Sequence, residues 1–160
     1  QDKDTAIAEA DVLILATPGS FDDAGIQELA RSLGDVSGKS IIDATNPVTP
    51  YPGLEIRWGQ EKSGGEVLQE ALPDAKVYKA FNTLGVDNMV DGSGKHMLYA
   101  GPDKDIADII EAVGYEAYYV GPIRYARNLE AIAELWIHCS FFRGWGRDFT
   151  FAVAGNPNDK

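Results

Sequence analysis

The chain has 160 residues, of which 44% are hydrophobic and 24% charged, and its formal net charge at pH 7 is −11. These proportions are those of a globular protein, and they exclude a disordered or fibrous chain. The negative charge argues against binding to nucleic acid or to anionic membranes, because no basic patch offsets it.

The cysteine content and the lengths of the apolar runs indicate the cellular compartment. Cys139 is the only cysteine, so an intrachain disulfide or a multi-cysteine metal site cannot form, and a reducing compartment fits. Apolar runs such as Val12 to Ala16 are far shorter than the roughly 20 residues that cross a bilayer. No signal peptide opens the sequence. We therefore expect a soluble, cytoplasmic protein.

The first predicted elements form one strand-turn-helix unit. After a short helix-like stretch from Thr5 to Ala10, the apolar run Val12 to Ala16 ends in a Thr-Pro-Gly turn, which is typical of a strand buried on both faces of a parallel sheet. The next segment repeats apolar residues at helical spacing, at Ile26, Leu29, Ala30 and Leu33. Ser20 with Asp23 predicts a capping box at the start of this helix, and Gly34 predicts its end.

The alternation of strands and helices continues along the chain. Four further strands are predicted, at Ser40 to Asp43, Lys76 to Phe81, His96 to Ala100 and Ala117 to Val120. A Pro- and Gly-rich loop from Asn46 to about Gly65 precedes the first of three more helices, which are Glu66 to Leu72, Ile106 to Val113 with Asp103 as its cap and Gly114 as its stop, and a long helix from Arg124 to about Phe142.

This order of elements predicts an α/β fold, with a Rossmann-like, mainly parallel sheet and flanking helices. There is no internal repeat and no interdomain linker, so we expect a single domain over residues 1–160.

Glycine motifs that cradle phosphates do not occur in the sequence. Gly92-Ser-Gly94 has Met97 where G-x-G-x-x-G needs its third glycine, and Gly94-Lys95 is followed by His96 where a P-loop needs Ser or Thr. We interpret these glycines as ordinary turn residues.

No catalytic or metal-binding cluster is predicted. His138 and Cys139 are neighbours on a helix, so their side chains diverge by about 100° and cannot form a nucleophile–base pair. We expect His138 to be structural or partly exposed, and His96 has no partner that the sequence identifies. Two histidines without clustered carboxylates argue against a metal site.

Polar residues follow three predicted strands, at the carboxyl ends where open α/β sheets bind ligands. The three segments are Ala16-Thr17-Pro18, Asp43 to Pro47 and Lys79 to Thr83. Each one alone is ordinary turn sequence, but their occurrence after three strands points to a binding site.

These turns also carry a resemblance to a known family. Asp11 to Pro18 (DVLILATP) and Gly121 to Arg127 (GPIRYAR) resemble the fourth strand and the closing strand-turn-helix of the NADP-dependent oxidoreductases that reduce coenzyme F420. Val77 to Thr83 (VYKAFNT) resembles the sixth strand in its metalloreductase version. The cytosolic domains of six-transmembrane metalloreductases and the N-terminal Rossmann domains of pyrroline-5-carboxylate reductases are of the same type. The resemblance covers nearly all of the chain.

The resemblance implies binding of NADP(H) and hydride transfer between nicotinamide and coenzyme F420, a flavin or a small acceptor. It places residues of the first turn along the ribose and pyrophosphate, and residues of the other two turns near the nicotinamide and the acceptor. The implied cofactor-binding residues are Ala16, Thr17, Pro18, Asn46, Pro47, Phe81, Asn82 and Thr83. No catalytic side chain is implied, since the cofactors carry the hydride chemistry.

The sequence departs from the family at its beginning. Family members open with a strand, a G-x-G-x-x-G loop, a helix and a second strand that recognises the 2′-phosphate, and this sequence contains none of them. We therefore expect a Rossmann domain that is partial at its N terminus and binds NADP weakly or not at all. The strand Val12 to Ala16 would then have an open apolar edge.

Two other functions are compatible with the sequence. One is a catalytically incompetent Rossmann-like module whose last helix, with Trp136, Phe141, Phe142 and Trp145, forms a homodimer or binds a partner. Core packing of these aromatic residues is the simpler interpretation. The other is a reductase of the 6-phosphogluconate dehydrogenase-like group, which is less favoured because few residues follow the last predicted strand.

Overall fold

The computed structural model of the chain describes residues 2–57, 61–155 and 157. Its strands are β1 (Val12–Leu15), β2 (Ser40–Asp43), β3 (Lys76–Lys79), β4 (His96–Ala100) and β5 (Glu116–Gly121). Its α-helices are α1 (Lys3–Glu9), α2 (Asp23–Ser32), α3 (Gly64–Ala71), α4 (Ala107–Ala112) and α5 (Ala126–Ile137). The other helical segments of the described residues are two 3₁₀ turns, Val86–Asn88 and Ile123–Tyr125, and one π-helical turn, His138–Phe142.

The five strands form one sheet in the order β1-β2-β3-β4-β5. β1, β2 and β3 are parallel, and β4 is parallel to β5. β4 runs antiparallel to β3 and meets it at Lys79 and Ala100. The predicted α/β fold with a mainly parallel sheet is therefore confirmed, and the carboxyl ends of β1, β2 and β3 lie at one edge.

Apolar side chains cover both faces of the sheet, which is why the central strands read as continuous apolar runs. On one face Ile41 and Val77 pack against the helices α2 and α3. On the other face Ile42 and Tyr78 pack with the residues around α4. All four side chains are fully buried.

β1 is the exception to this burial. It pairs with β2 alone among the described residues, and Ile14 at its centre is 57% exposed. The prediction of a strand buried on both faces is therefore wrong, because β1 lies at the end of the sheet. The expected open apolar edge is present in the described part of the chain.

The start of α2 differs from the prediction. Asp22 is its N-cap and accepts a hydrogen bond from the backbone N–H of Gly25 at 2.8 Å, so Ser20 and Asp23 do not form a capping box. Aspartate at this position satisfies one of the free N–H groups of the first turn. Gly34 follows the helix with φ 69°, as its predicted role requires.

The predicted cap of α4 is also wrong. The helix begins at Ala107 without a side-chain cap. Asp103 instead accepts hydrogen bonds from Lys76 Nζ at 2.8 Å and from the Tyr78 hydroxyl at 2.5 Å. A carboxylate that can reach a buried phenol and an ammonium group gains more from those donors than from a helix terminus.

Several element boundaries differ from the prediction, most by one or two residues and three of them for a structural reason. α3 starts at Gly64, earlier than predicted, because Ser63 and Glu66 form a capping box before it. The predicted long helix from Arg124 divides into a 3₁₀ turn, α5 and a π-helical turn. β3 ends at Lys79, before Phe81. Of the loop predicted from Asn46 to Gly65, positions 58–60 lie outside the described residues.

The aromatic residues at the end of α5 separate into two groups. Trp136 is buried, whereas Phe141, Phe142 and Trp145 are 57%, 48% and 62% exposed. Core packing is therefore correct for Trp136 and wrong for the other three. Within the described ranges, no helix combines the length and apolar character needed to cross a bilayer.

Candidate functional site

The three turns singled out in the sequence meet at one edge of the sheet. The last residues of β1, β2 and β3, which are Leu15, Asp43 and Lys79, are register partners. Gly19 in the first turn packs on the second turn so closely that a Cβ there would lie 2.1 Å from the main-chain oxygen of Asn46. Only glycine permits this approach.

Asn46 and Asn82 join the second turn to the third. Asn46 Nδ2 donates to the main-chain oxygen of Asn82 at 2.9 Å, and Asn82 Nδ2 donates to Asn46 Oδ1 at 3.1 Å. The first bond fixes the orientation of the Asn46 amide, because the main-chain oxygen of Asn82 can only accept and must face Nδ2. Asn46 Oδ1 therefore faces Asn82, and the Asn82 side chain must direct its Nδ2 toward that oxygen.

This arrangement leaves one buried acceptor without a partner. Asn82 is 4% exposed, and its Oδ1 has no hydrogen-bond partner among the described residues. Burying an acceptor without a donor costs about 1–3 kcal/mol. The Asn82 oxygen is therefore suited to accept a hydrogen bond from a bound N–H or O–H group.

Phe81 has a backbone conformation unusual for a bulky residue. Its φ is 63°, in the left-handed region, where a side chain costs about 1–3 kcal/mol and where strain often marks functional sites. Its N–H donates to Met97 Sδ at 3.2 Å, and its ring packs edge-on against Tyr115 with centroids 5.9 Å apart. These contacts hold the ring at the sheet edge.

An apolar cleft of about 390 Å³ opens beside this edge. Its lining residues are Ile14, Ala16, Thr17, Ala44, Phe81, Val86, Met89 and Val113. None of these side chains titrates. The cleft therefore suits an aromatic or aliphatic ring, and it offers no acid or base.

The structure distributes the eight predicted cofactor-binding residues over two environments. Ala16, Thr17 and Phe81 line the cleft. Pro18 is exposed next to them. The remaining residues lie in the joined second and third turns, and they are Asn46, Pro47, Asn82 and Thr83.

A buried ion cluster beneath the turns was not predicted from the sequence. Lys79 is fully buried, and its Nζ contacts Asp43 Oδ2 at 2.8 Å, Glu130 Oε1 at 3.1 Å and the main-chain oxygen of Thr45 at 2.6 Å. Burial alone would lower the pKa of Lys79, but the carboxylates of Asp43 and Glu130 outweigh it, so the pKa is raised and the ammonium form persists.

The same cluster ties the second turn and α3 to the sheet. The Asp43 carboxylate accepts hydrogen bonds from the N–H and the hydroxyl of Thr45, at 2.9 and 2.7 Å. Glu130 accepts from the backbone N–H groups of Gly64 and Gly65, both at 3.1 Å. A glutamate on the apolar face of α5 is the signal in the sequence, but its partners lie about fifty to sixty-six positions away.

The two histidines have separate environments. His138 is exposed, as expected, and stacks on Phe142. His96 Nδ1 accepts a hydrogen bond from the backbone N–H of Val153 at 2.8 Å. Over the described part of the chain, no group of three or more His, Cys, Asp or Glu side chains is placed to hold a metal ion.

No protein-family model matches the chain. The glycerol-3-phosphate dehydrogenase [NAD(P)+] of Anaplasma phagocytophilum is 33% identical over 107 residues, which are 66% of this chain and 30% of that protein. The chain thus spans less than a third of this relative.

Solved structures resemble the chain over more of its length. A proposed F420-dependent NADP reductase from Arthrobacter sp. FB24 has 25% identity and a TM-score of 0.80, and the match covers 97% of this chain and 74% of that one. A protein of unassigned function from Sinorhizobium meliloti has 27% identity and a TM-score of 0.63, over 76% of this chain and 60% of that one.

A reductive aminase from Aspergillus terreus, solved with NADPH, shares the fold at 19% identity and a TM-score of 0.60, over 89% of this chain and 45% of that one. The resemblance to the F420-dependent NADP reductases seen in the sequence is thus confirmed by structure. The chain has the Rossmann-like fold of the NAD(P)-dependent oxidoreductases.

Proposed function

We propose that this chain forms the nicotinamide side of an NADP(H) site in an oxidoreductase that transfers hydride between nicotinamide and a deazaflavin or flavin-type acceptor. The observation that carries the proposal is the meeting of three strand-end turns, two of them joined by Asn46 and Asn82, beside an apolar cleft. Ligands of open α/β sheets bind at this edge.

The residues present fit the nicotinamide end of the cofactor. A nicotinamide ring is flat and carries a carboxamide, so it needs an apolar wall and a hydrogen-bond acceptor. Ala16 and Phe81 supply an apolar wall. Asn82 follows Phe81 in the chain and does not line the cleft, and its buried, unpaired Oδ1 is proposed to become the acceptor when a ring binds. Thr17 lines the cleft, and Thr17 and the adjacent Pro18 are exposed and are proposed to lie along the ribose.

NADP(H) would supply the hydride, and the chain's own residues would orient the ring and exclude water. The absence of titratable groups from the cleft lining suits such a reaction, because hydride transfer between two rings needs position and dryness more than a general base. Pro47 and Thr83 are buried, and their proposed role is to support the turns that hold Asn46 and Asn82.

The pyrophosphate and the 2′-phosphate need contacts that these turns do not supply. The sequence has no G-x-G-x-x-G loop, which normally brings backbone N–H groups to the pyrophosphate. The proposal therefore assigns ring binding to this chain and expects modest affinity from it alone.

NADPH titration of the chain tests the proposal, with binding followed by melting temperature and by nicotinamide fluorescence. Ala16→Trp fills the cleft, and Val90→Trp adds the same side chain at a residue that is 89% exposed and does not line it. We expect saturable binding in the wild type and in Val90→Trp, and none in Ala16→Trp. The absence of binding at millimolar NADPH would contradict the proposal.

Hydride transfer is assayed separately, by mixing NADPH anaerobically with oxidised F420 or FMN. We expect the NADPH absorbance to fall when one of these two acceptors is present and to stay constant when neither is added. Binding without transfer to either acceptor would support the proposed cofactor site and would contradict the proposed reaction.

A second candidate is a binding module that acts as a homodimer. It is favoured by the three exposed aromatic residues at the end of α5, which are Phe141, Phe142 and Trp145. Large exposed apolar side chains close together often mark protein interfaces. These aromatic residues do not line the cleft, so the hydride-transfer assay separates a catalytically incompetent module from an oxidoreductase that dimerises through them.

A further inference from the structure

The chain from Arg147 to Val153, which we term the strap, has no helix or strand in it, yet three hydrogen bonds attach its backbone to the rest of the fold. Side chains of other elements make these attachments to its backbone. Asn88 Nδ2 donates to the Arg147 oxygen at 2.9 Å, and Trp136 Nε1 donates to the Phe149 oxygen at 2.9 Å. The third attachment lies at the far end of the strap.

That third attachment is a hydrogen bond to a histidine. The backbone N–H of Val153 donates to His96 Nδ1 at 2.8 Å. A ring nitrogen of histidine accepts only when it carries no proton, so this contact requires neutral His96 with its proton on Nε2. The first two attachments involve groups that do not change protonation near neutral pH.

Protonation of His96 would replace an acceptor by a donor. The proton from solvent binds Nδ1, the Nε2 proton stays, and two N–H groups then face each other. The bond to Val153 would then be lost, while the bonds from Asn88 and Trp136 persist.

The charged and titratable groups nearest His96 in the fold come from β4, β5 and the strap. Glu116 is its register partner on β5, and the Tyr118 ring, with its centroid 5.0 Å from the His96 ring, donates its hydroxyl to Glu116 at 3.0 Å. Lys95 precedes His96, but its Nζ is directed to the main-chain oxygen of Asp91. On the strap, Arg147 pairs with Asp87 at 3.2 Å, and Asp148 is exposed.

We infer that His96 is a pH-sensitive latch for the strap, closed when the imidazole is neutral and open when it is protonated. The other end of the strap stays attached to Asn88 in the 3₁₀ turn Val86–Asn88. Opening of the latch therefore releases the strap at its Val153 end.

The test measures hydrogen exchange of the Val153 amide between about pH 8 and about pH 5, corrected for the intrinsic exchange rate. In the wild type we expect protection at the higher pH and exchange about five-fold or more faster at the lower pH. His96→Asn puts a non-titrating acceptor near the position of Nδ1, so its protection should not change with pH.

The second histidine provides the matched control. The chain has two histidines, and His138→Asn should keep the pH dependence of the wild type. Imidazole ¹⁵N shifts of wild-type His96 supply a measurement that needs no variant, and we expect the Nε2–H form at the higher pH. A proton on Nδ1 at that pH, or equal pH dependence in His96→Asn and the wild type, would overturn the latch.

Discussion

Asn46 and Asn82 exchange two hydrogen bonds across the carboxyl edge of the sheet, 2.9 Å from Asn46 Nδ2 to the Asn82 oxygen and 3.1 Å from Asn82 Nδ2 to Asn46 Oδ1. The pair joins two turns that lie thirty-six positions apart. It also leaves Asn82 Oδ1 buried without a partner among the described residues. A structural link and a candidate ligand contact are thus built from the same two side chains.

The first prediction concerns this pair. Asn46→Ala and Asn82→Ala should each lower the free energy of unfolding, and the double variant should lose about 1 kcal/mol less than the sum, because the shared bonds can be lost only once. Urea unfolding measures the cycle. Additive losses would show that the two amides do not interact.

NADPH binding separates the two roles of the pair. Asn82→Asp keeps an acceptor oxygen but removes the amide donor to Asn46, so it should weaken the link between the turns and retain an acceptor for the ligand. Asn82→Leu removes both. We expect NADPH affinity to fall further in Asn82→Leu than in Asn82→Asp at equal residual stability, and the reverse order would argue against ring recognition by Asn82.

The second prediction concerns the buried ion cluster. Lys79→Met should destabilise the chain by about 3–5 kcal/mol, because it leaves the carboxylates of Asp43 and Glu130 buried without a cation. The control is Lys62→Met, which removes an exposed pair with Glu70 and should cost less than about 1 kcal/mol. Equal losses of unfolding free energy in the two variants would contradict the cluster.

The third prediction concerns acid stability through Glu66. Burial acts to raise the pKa of this carboxyl, but hydrogen bonds from Arg127 and Ser63 outweigh it and hold the pKa below its usual value. A carboxyl with a lowered pKa stabilises the folded state above its unfolded pKa, about 4.3, and this contribution is lost as the pH falls through the folded pKa.

Glu66→Gln should therefore be less stable than the wild type at neutral pH, and the difference should shrink below about pH 4. Thermal melts over a pH series measure it. Glu70→Gln is the control, because Glu70 and Lys62 form an exposed pair. A difference between wild type and Glu66→Gln that grows on acidification would reverse the assigned sign.

The fourth prediction concerns the close approach of Gly19 to the second turn. A Cβ at Gly19 would lie 2.1 Å from the Asn46 oxygen, so Gly19→Ala should separate the first two turns, lower stability by about 1–3 kcal/mol and weaken NADPH binding. Gly94→Ala is the control, with φ 70° and no neighbouring atom within 4 Å. It should lower stability by about 1 kcal/mol and leave binding unchanged.

The fifth prediction concerns the exposed aromatic residues. If they form a homodimer interface, Trp145→Glu should convert a dimer to a monomer in light scattering, because it places a charge in an apolar contact. Tyr51→Glu, at a residue that is 77% exposed and remote in sequence, is the control. A wild-type chain that is monomeric at high concentration would exclude the homodimer.

Local patterns were sufficient for most of the fold. β2 and β4 were predicted with their observed bounds, because a short apolar run between turn residues has few other interpretations. The three turns could be assigned to one edge of the sheet because parallel strands place their carboxyl ends together. The family resemblance rested on the same segments.

The predictions that failed had two kinds of cause. The α2 cap was misplaced within a local pattern, because Asp22, between Ser20 and Asp23, caps the helix. Asp103 can cap a helix by local rules, yet it binds Lys76 and Tyr78, which lie far away in the sequence. Ile14 looked buried because its run is apolar, but burial requires a second strand beside it. The spacing of residues along the chain gives no information on the partners of Asp103 or on the position of β1 in the sheet.

The sequence by itself determined the alternation of strands and helices and the polar turns at the strand ends, because these follow from periodicity and turn chemistry. Only the tertiary structure decided that Asn46 meets Asn82, that Lys79 lies between Asp43 and Glu130, and that His96 accepts a bond from Val153. Each of these contacts joins residues far apart in the chain. Their partners are chosen by packing of the whole sheet, in which a buried polar group must find whatever complementary group the fold places within reach.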